Sequence, residues 1–186
     1  MGLVEGVVSV ADVDEFVGRL GAIGKEHGVT VQAFDARYVV DRTHLERAVD
    51  LADRAIARGE NVARDRAVEI LCYAAGRRQI ERALTMGISA GETPAVVLVD
   101  ARPDGEAGDS GSEMSADEDA DGTEAEREAA AVVESMDVLE PAETLGDYDP
   151  ELVCGFFDVG EAELAVVEGD LPALVHERVA LLDIEK

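Results

Sequence analysis

The sequence predicts an α/β (α+β) fold: a small mixed β-sheet covered by several α-helices, in a single domain spanning 1–186. Three observations carry that expectation. Short strand-like runs alternate with longer stretches whose apolar residues recur at helical spacing. Capping boxes and glycines mark where those helices start and stop. The length of 186 residues and a 47% hydrophobic content suit one domain with a full core.

The elements follow in order. Leu3 to Val10 reads as a strand. Asp12, with Glu15 three residues on, caps a helix carrying Val13, Phe16, Val17, Leu20 and Ile23, and Gly28 ends it. Val29 to Phe34 is a second strand. Asp35 to Asp41 connects, with an extended piece at Tyr38-Val39-Val40. Thr43 with Glu46 forms another capping box before the stripe Leu45, Ala48, Val49, Ala52, Ile56, closed by Gly59. After the turn Glu60-Asn61-Val62-Ala63 comes a nearly continuous apolar helix: Ala67, Val68, Ile70, Leu71, Ala74, Ala75. Gly76 interrupts it, and Arg77 to Leu84 starts a new turn that ends at Gly87. Pro94 introduces a strand over Ala95 to Asp100.

Residues 102–128 contain Gly, Ser, Asp and Glu and almost nothing to bury, so they read as a flexible acidic loop or insertion without chemistry of its own. Ala129 to Leu139 returns to helical character. Leu152 to Val159 suits either a strand or a short apolar helix. Asp170 caps a last helix with Leu171, Leu174, Val175, Val179 and Leu182.

The formal net charge is −26, from 42 acids against 16 basic residues, with only Lys25 and Lys186 as lysines. Acids occur throughout, a pattern that suggests a halophilic cytoplasm whose salt screens self-repulsion. Ten of the fourteen arginines lie between Arg37 and Arg82, beside eight acids, so that window alone is +2. Either it is an anion-binding face retained on an acidic surface, or its arginines pair with local acids on amphipathic helices. Cys72 and Cys154 lack any CxxC context and read as small hydrophobes in a reducing compartment. The first ten residues do not form a signal peptide, and no run approaches a membrane span. The expectation is a cytoplasmic protein without membrane contact.

Catalytic signatures are thin. There is no Gly-rich phosphate loop, HxE or CxxC metal set, or GxSxG elbow, so no catalytic residue, metal or cofactor is assigned. A lone His44 in a first helical turn reads as a surface or capping residue. The best candidate site is Gly76-Arg77-Arg78-Gln79: a glycine turn, two guanidiniums able to fork onto phosphate or stack on a base, and an amide able to read a base edge, at a helix start. Arg42, His44 and Asn61 are neighbours if the helix after Thr43 packs beside it.

The stretch VQAFDARYVVDRTHLERAVDLADRAIARGENVARDRAVEILCYAAGRRQIERALTMGI, Val31 to Ile88, resembles the archaeal kinase-binding subunit of the KEOPS complex, whose human relative is the PRPK-binding protein. QAFDA, THLERA, RGEN and above all EILCYAAGRRQIERALTMGI carry the resemblance, with ALVHERVALLDIE as a closing helix; the acidic loop departs from it. The resemblance implies a non-catalytic subunit. It would bind the complex's small atypical protein kinase and recruit tRNA through the 3′ CCA end for threonylcarbamoyladenosine synthesis at tRNA position 37. It puts Arg77, Arg78 and Gln79 at or near the tRNA site, with Asp35, His44 and Asn61 matching nearby. For the kinase face, Ile80, Leu84, Met86 and Ile88 are the residues backed, with core packing as their alternative.

Three functions compete. The first is this tRNA-recruiting, kinase-binding subunit; the second is a purely protein-binding adaptor; the third is a small-molecule enzyme using Asp, His and Arg in a cleft. An RNA site needs its arginines converging on one open face, whereas an adaptor needs a contiguous apolar patch. With few aromatics, Arg planes, Tyr38 or Tyr73 would have to stack on bases.

Overall fold

Valines at alternate positions make Gly2–Val10 a strand, β1, with Val4, Val8 and Val10 turned to one face and buried. The computed structural model describes residues 1–101 and 116–182. After β1 come α1 (Val13–His27), β2 (Thr30–Asp35), α2 (Arg42–Arg58), α3 (Arg66–Ala74), α4 (Ile80–Ala83) and β3 (Gly91–Asp100). The second half holds α5 (Ala116–Glu134), β4 (Leu139–Pro141), α6 (Pro150–Phe156), α7 (Glu161–Val166) and α8 (Leu171–Leu181). The strands form one sheet in the order β2-β3-β1-β4. All three pairings are antiparallel, so the fold is α+β and the expected mixed sheet is an antiparallel one.

The period of two along each strand separates two cores. Phe34, Val96 and Leu98 point to the face covered by α2 and α3, while Val31, Ala33, Val97 and Val99 point to the face covered by α1 and α5. Full burial of a side chain such as Phe34 contributes about 1.5–3 kcal/mol. On α2 the buried stripe includes Ala48, Ala52 and Ala55, small residues that let helices approach closely. A third cluster, with Val153, Phe157, Leu171, Leu174 and Val175, joins α6 to α8.

Several local expectations change. Asp41, not Thr43, caps α2: its carboxylate accepts from the His44 amide at 2.8 Å, and Glu46 bonds Arg42 instead. Of the expected extended piece Tyr38-Val39-Val40, Tyr38 instead ends a 3₁₀ turn over Ala36–Tyr38, started by the Asp35 carboxylate accepting from the Arg37 amide, while Val39 is extended. Leu152 to Val159 resolves to the helical alternative, α6, with Asp149 as cap and Pro150 in its first turn. Part of the expected acidic loop, 102–115, lies outside the described residues. From Ala116 onward the chain is helical, because Ala125, Ala129 and Val133 recur at four-residue spacing and pack on the sheet. That helix stops at Glu134, and Leu139–Pro141 pairs with Gly6–Val8 as β4 instead of continuing it. No helix among the described residues is long and apolar enough to cross a membrane.

Candidate functional site

The chain leaves α3 through a tight C-terminal turn. Gly76 adopts φ 58°, its amide donates to the Tyr73 carbonyl at 2.9 Å, and the Arg77 amide donates to the Cys72 carbonyl at 3.0 Å. A Cβ placed on Gly76 would meet its nearest neighbour, the Arg178 carbonyl oxygen, at an ordinary 3.6 Å. Glycine is therefore needed here for its backbone angle, not for room. The turn leaves Arg77 and Arg78 half-buried and Gln79 exposed.

Arg77 does not pair locally. Its guanidinium reaches the turn after α6, where it donates to the Phe156 carbonyl and to the Asp158 carboxylate at 2.8 Å, and its Cζ lies 5.7 Å from the Phe156 ring centre. Phe156 stands edge-on to Tyr38 and Phe157, with ring centres 5.0 and 5.1 Å away. From α8, Arg178 donates to the Phe157 carbonyl at 3.3 Å and to Glu163 at 2.6 Å. The Asp158 carboxyl is held below its usual range by the Arg77 hydrogen bond first, then by the charges of Arg77, Arg82 and Arg178. Arg77 thus holds an exposed carboxylate on an open face, and Arg178, from a different element, bonds the carbonyl of the residue just before it.

His44 lies beneath this loop. It is fully buried, its Nε2 stands 2.8 Å from the Ala74 carbonyl oxygen, and its ring packs edge-on against Phe157. A carbonyl only accepts, so Nε2 carries the hydrogen and Nδ1 is an acceptor. Nδ1 is the only buried side-chain polar atom without a partner among the described residues. Burial, opposed in part by the Ala74 hydrogen bond, pushes the pKa down to about 4, so the ring is neutral. His44 is therefore neither a surface cap nor an RNA contact; it is an internal strut under Gly76.

The other expected site residues divide. Asn61 donates to the Ala63 carbonyl at 2.6 Å within its own turn. The buried Glu69 fixes that turn by accepting from the Val62 and Ala63 amides at 3.0 and 2.8 Å. This turn adjoins the arginine loop, since Val62, Tyr73, Arg77, Arg78 and Leu182 line one shallow depression. Arg42 turns away, toward Glu46 and the Met1 carbonyl. Asp35 is buried and holds Arg37 at 2.6 Å. Tyr73 is buried and has no face for a base, while Tyr38 is half-buried against Phe156. Gln79 caps α4 without a side-chain bond. α4 has four residues and the Arg77 amide is already used, so the anticipated helix-start field is not at Arg77 and Arg78.

Of the residues backed for the kinase face, Ile80 and Leu84 are exposed at 37% and 55%, one turn apart. Met86 and Ile88 are buried, one in each main core, and cannot reach a partner. The sequence reading missed Phe156, Asp158 and Arg178, which lie some 80 to 100 positions beyond Arg77 and carry no local motif. For four other arginines of the window the local-pairing alternative holds: Arg37, Arg42, Arg58 and Arg66 each bond a nearby acid. A cleft of about 390 Å³ between α1 and α3 is lined by residues that include Lys25, Thr30, Asp65 and Arg66, with no His or Cys.

A family model described as kinase binding protein CGI-121 matches residues 9–183 of this chain. The match runs from the end of β1 through the arginine loop to α8. No curated protein shows a significant match.

Proposed function

The chain belongs to the CGI-121 family of kinase-binding proteins, and from that premise we propose that it is the non-catalytic, tRNA-recruiting subunit of a KEOPS-type complex. In this reading it binds the small atypical kinase of the complex. It also holds tRNA by the single-stranded 3′ CCA end for threonylcarbamoyladenosine synthesis.

One observation carries the RNA part: Arg77 bonds the exposed Asp158 and Arg178 bonds the adjoining Phe157 carbonyl, two guanidiniums from different elements at one exposed loop, with Arg78 and Gln79 next to Arg77 in the chain. The chain's −26 charge suits strong salt, where the Debye length is roughly 3 Å and long-range attraction to phosphate is lost. Recognition must then come from close contact: forked guanidiniums, stacking and base-edge hydrogen bonds. Unpaired CCA bases offer free faces and edges for that mode. Ile80 and Leu84 supply an exposed apolar pair next to the loop for the kinase.

That apolar pair also favours the second reading, a protein-binding adaptor with no RNA contact. Purified protein in molar KCl, offered intact tRNA and the same tRNA lacking its CCA end, separates the two. The proposal expects binding to the intact molecule and its loss on trimming. Equal binding moves the contact to the tRNA body, and no binding to either leaves the adaptor.

A further inference from the structure

Asp158 is the exposed carboxylate that Arg77 holds. It sits in the left-handed position that closes α6, with φ 54°, and the next amide, Val159, donates to the Cys154 carbonyl at 2.9 Å. The equivalent position closing α3 is Gly76, with φ 58° and the same amide-to-carbonyl closure. Glycine is the ordinary occupant of such a turn; aspartate tolerates it better than most residues but still carries some strain there. At α6 the side chain is a carboxylate aimed at Arg77.

The two partners of this contact are held very differently. The Asp158 side chain is 74% exposed, whereas that of Arg77 is 22% exposed. Arg77 also keeps the Phe156 carbonyl and ring if Asp158 moves away. Arg178 is likewise anchored, on the Phe157 carbonyl and Glu163. The arginine frame is therefore built to remain while the carboxylate leaves. An exposed ion pair in strong salt is weak enough to be exchanged for a ligand that brings more contacts.

We propose that Asp158 is an internal stand-in for a nucleic-acid phosphate: its carboxylate fills the place beside Arg77, next to the Phe157 carbonyl that Arg178 holds, and must swing out before a phosphate of the RNA 3′ end enters. The proposal rests on the RNA reading above. It adds a restraint on that reading: anions that offer only charge do not displace Asp158, while a phosphate accompanied by stacked bases does.

The test uses the full chain in molar KCl and a short single-stranded RNA ending in CCA. Asp158→Gly suits the left-handed backbone and removes the carboxylate; Asp158→Asn keeps the side-chain shape and removes the charge. Each variant should bind the RNA roughly fivefold tighter, the scale of one exposed charge pair. That gain should vanish when Arg77→Ala is added. Unchanged or weaker binding in both Asp158 variants, with Arg77→Ala alone still weakening binding, would leave Asp158 a loop strut and sink the proposal while the RNA reading stands. If Arg77→Ala also leaves the RNA affinity unchanged, the RNA site and this inference fall together.

Discussion

Arg66 and Arg77 flank the same helix, α3, and do opposite work. Arg66 is 5% exposed and saturated: it bonds Asp53 at 2.7 and 2.9 Å, Asp100 at 2.5 Å and the Thr30 hydroxyl at 2.8 Å. It ties α2, α3, β2 and β3 together at one end of the sheet. Arg77 is half-buried, bonds a main-chain carbonyl and a largely exposed carboxylate, and opens onto solvent. The comparison teaches that an arginine count identifies neither role. What decides is whether the acids around a guanidinium are themselves buried, since only then is the charge locked into the fold.

The comparison breaks first at Arg66. Arg66→Leu leaves the buried Asp100 with only the Met1 ammonium, 3.5 Å away, and should cost roughly 3 kcal/mol, the low end for a buried pair that loses one partner. Arg77→Ala should cost under about 1 kcal/mol, because its carboxylate partner returns to water. Urea unfolding of both variants at one KCl concentration gives the two numbers. A loss at Arg66 no larger than at Arg77 would erase the distinction.

Acid should act through the strut and not through the arginines. The His44 imidazole titrates near 6.5 when unfolded and near 4 when folded. Between those values the unfolded chain holds the extra proton, so stability is complete above about pH 6.5 and falls as pH drops toward 4. The shift corresponds to about 3 kcal/mol across that window. His44→Gln should flatten the wild-type slope there, and an identical slope in the variant would mean that other groups carry the acid sensitivity.

On the ligand side, Arg77→Ala and Arg78→Ala should each weaken tRNA binding by about 1–3 kcal/mol while the fold survives. His44→Gln should act on RNA only through the position of the Gly76 loop. Titrations of tRNA against folded single and double variants check this. An unchanged affinity in the double variant removes the site from this loop.

How much of this was legible in the sequence follows from the range of each signal. Local signals read well: the Asp12 cap, the closing glycines Gly28 and Gly59, and the α2 stripe through Leu45, Ala48, Val49 and Ala52 occur as their spacing implies, though Ala55 and not Ile56 completes the buried face. The Gly76 turn was readable because it needs only one glycine after an apolar run. The cap of α2 is not decided by the sequence because Asp41 and Thr43 both precede the stripe, and only geometry shows that the Asp41 carboxylate, not the Thr43 hydroxyl, caps the helix. Burial of His44 and Met86 was not legible, since a polar residue beside a helix start gives no sign that α3 and α6 close over it. The far half of the site, Phe156, Asp158 and Arg178, is assembled by tertiary packing alone. β4 has three residues and exists only because β1 offers an edge.

The smallest effect is also the sharpest, because it compares the two left-handed turns directly. Gly76→Ala keeps ordinary packing distances, so its cost is backbone strain alone, about 1 kcal/mol. Asp158→Gly relieves similar strain and gives up only an exposed ion pair, so it should leave stability unchanged or raise it by a few tenths up to about 1 kcal/mol. The two substitutions should therefore shift the urea midpoint in opposite directions or, at the limit, one should not shift it at all. A clear loss of stability in Asp158→Gly would mean that the carboxylate holds α6 against α3, and that its left-handed backbone is needed by the fold itself and not kept for a ligand.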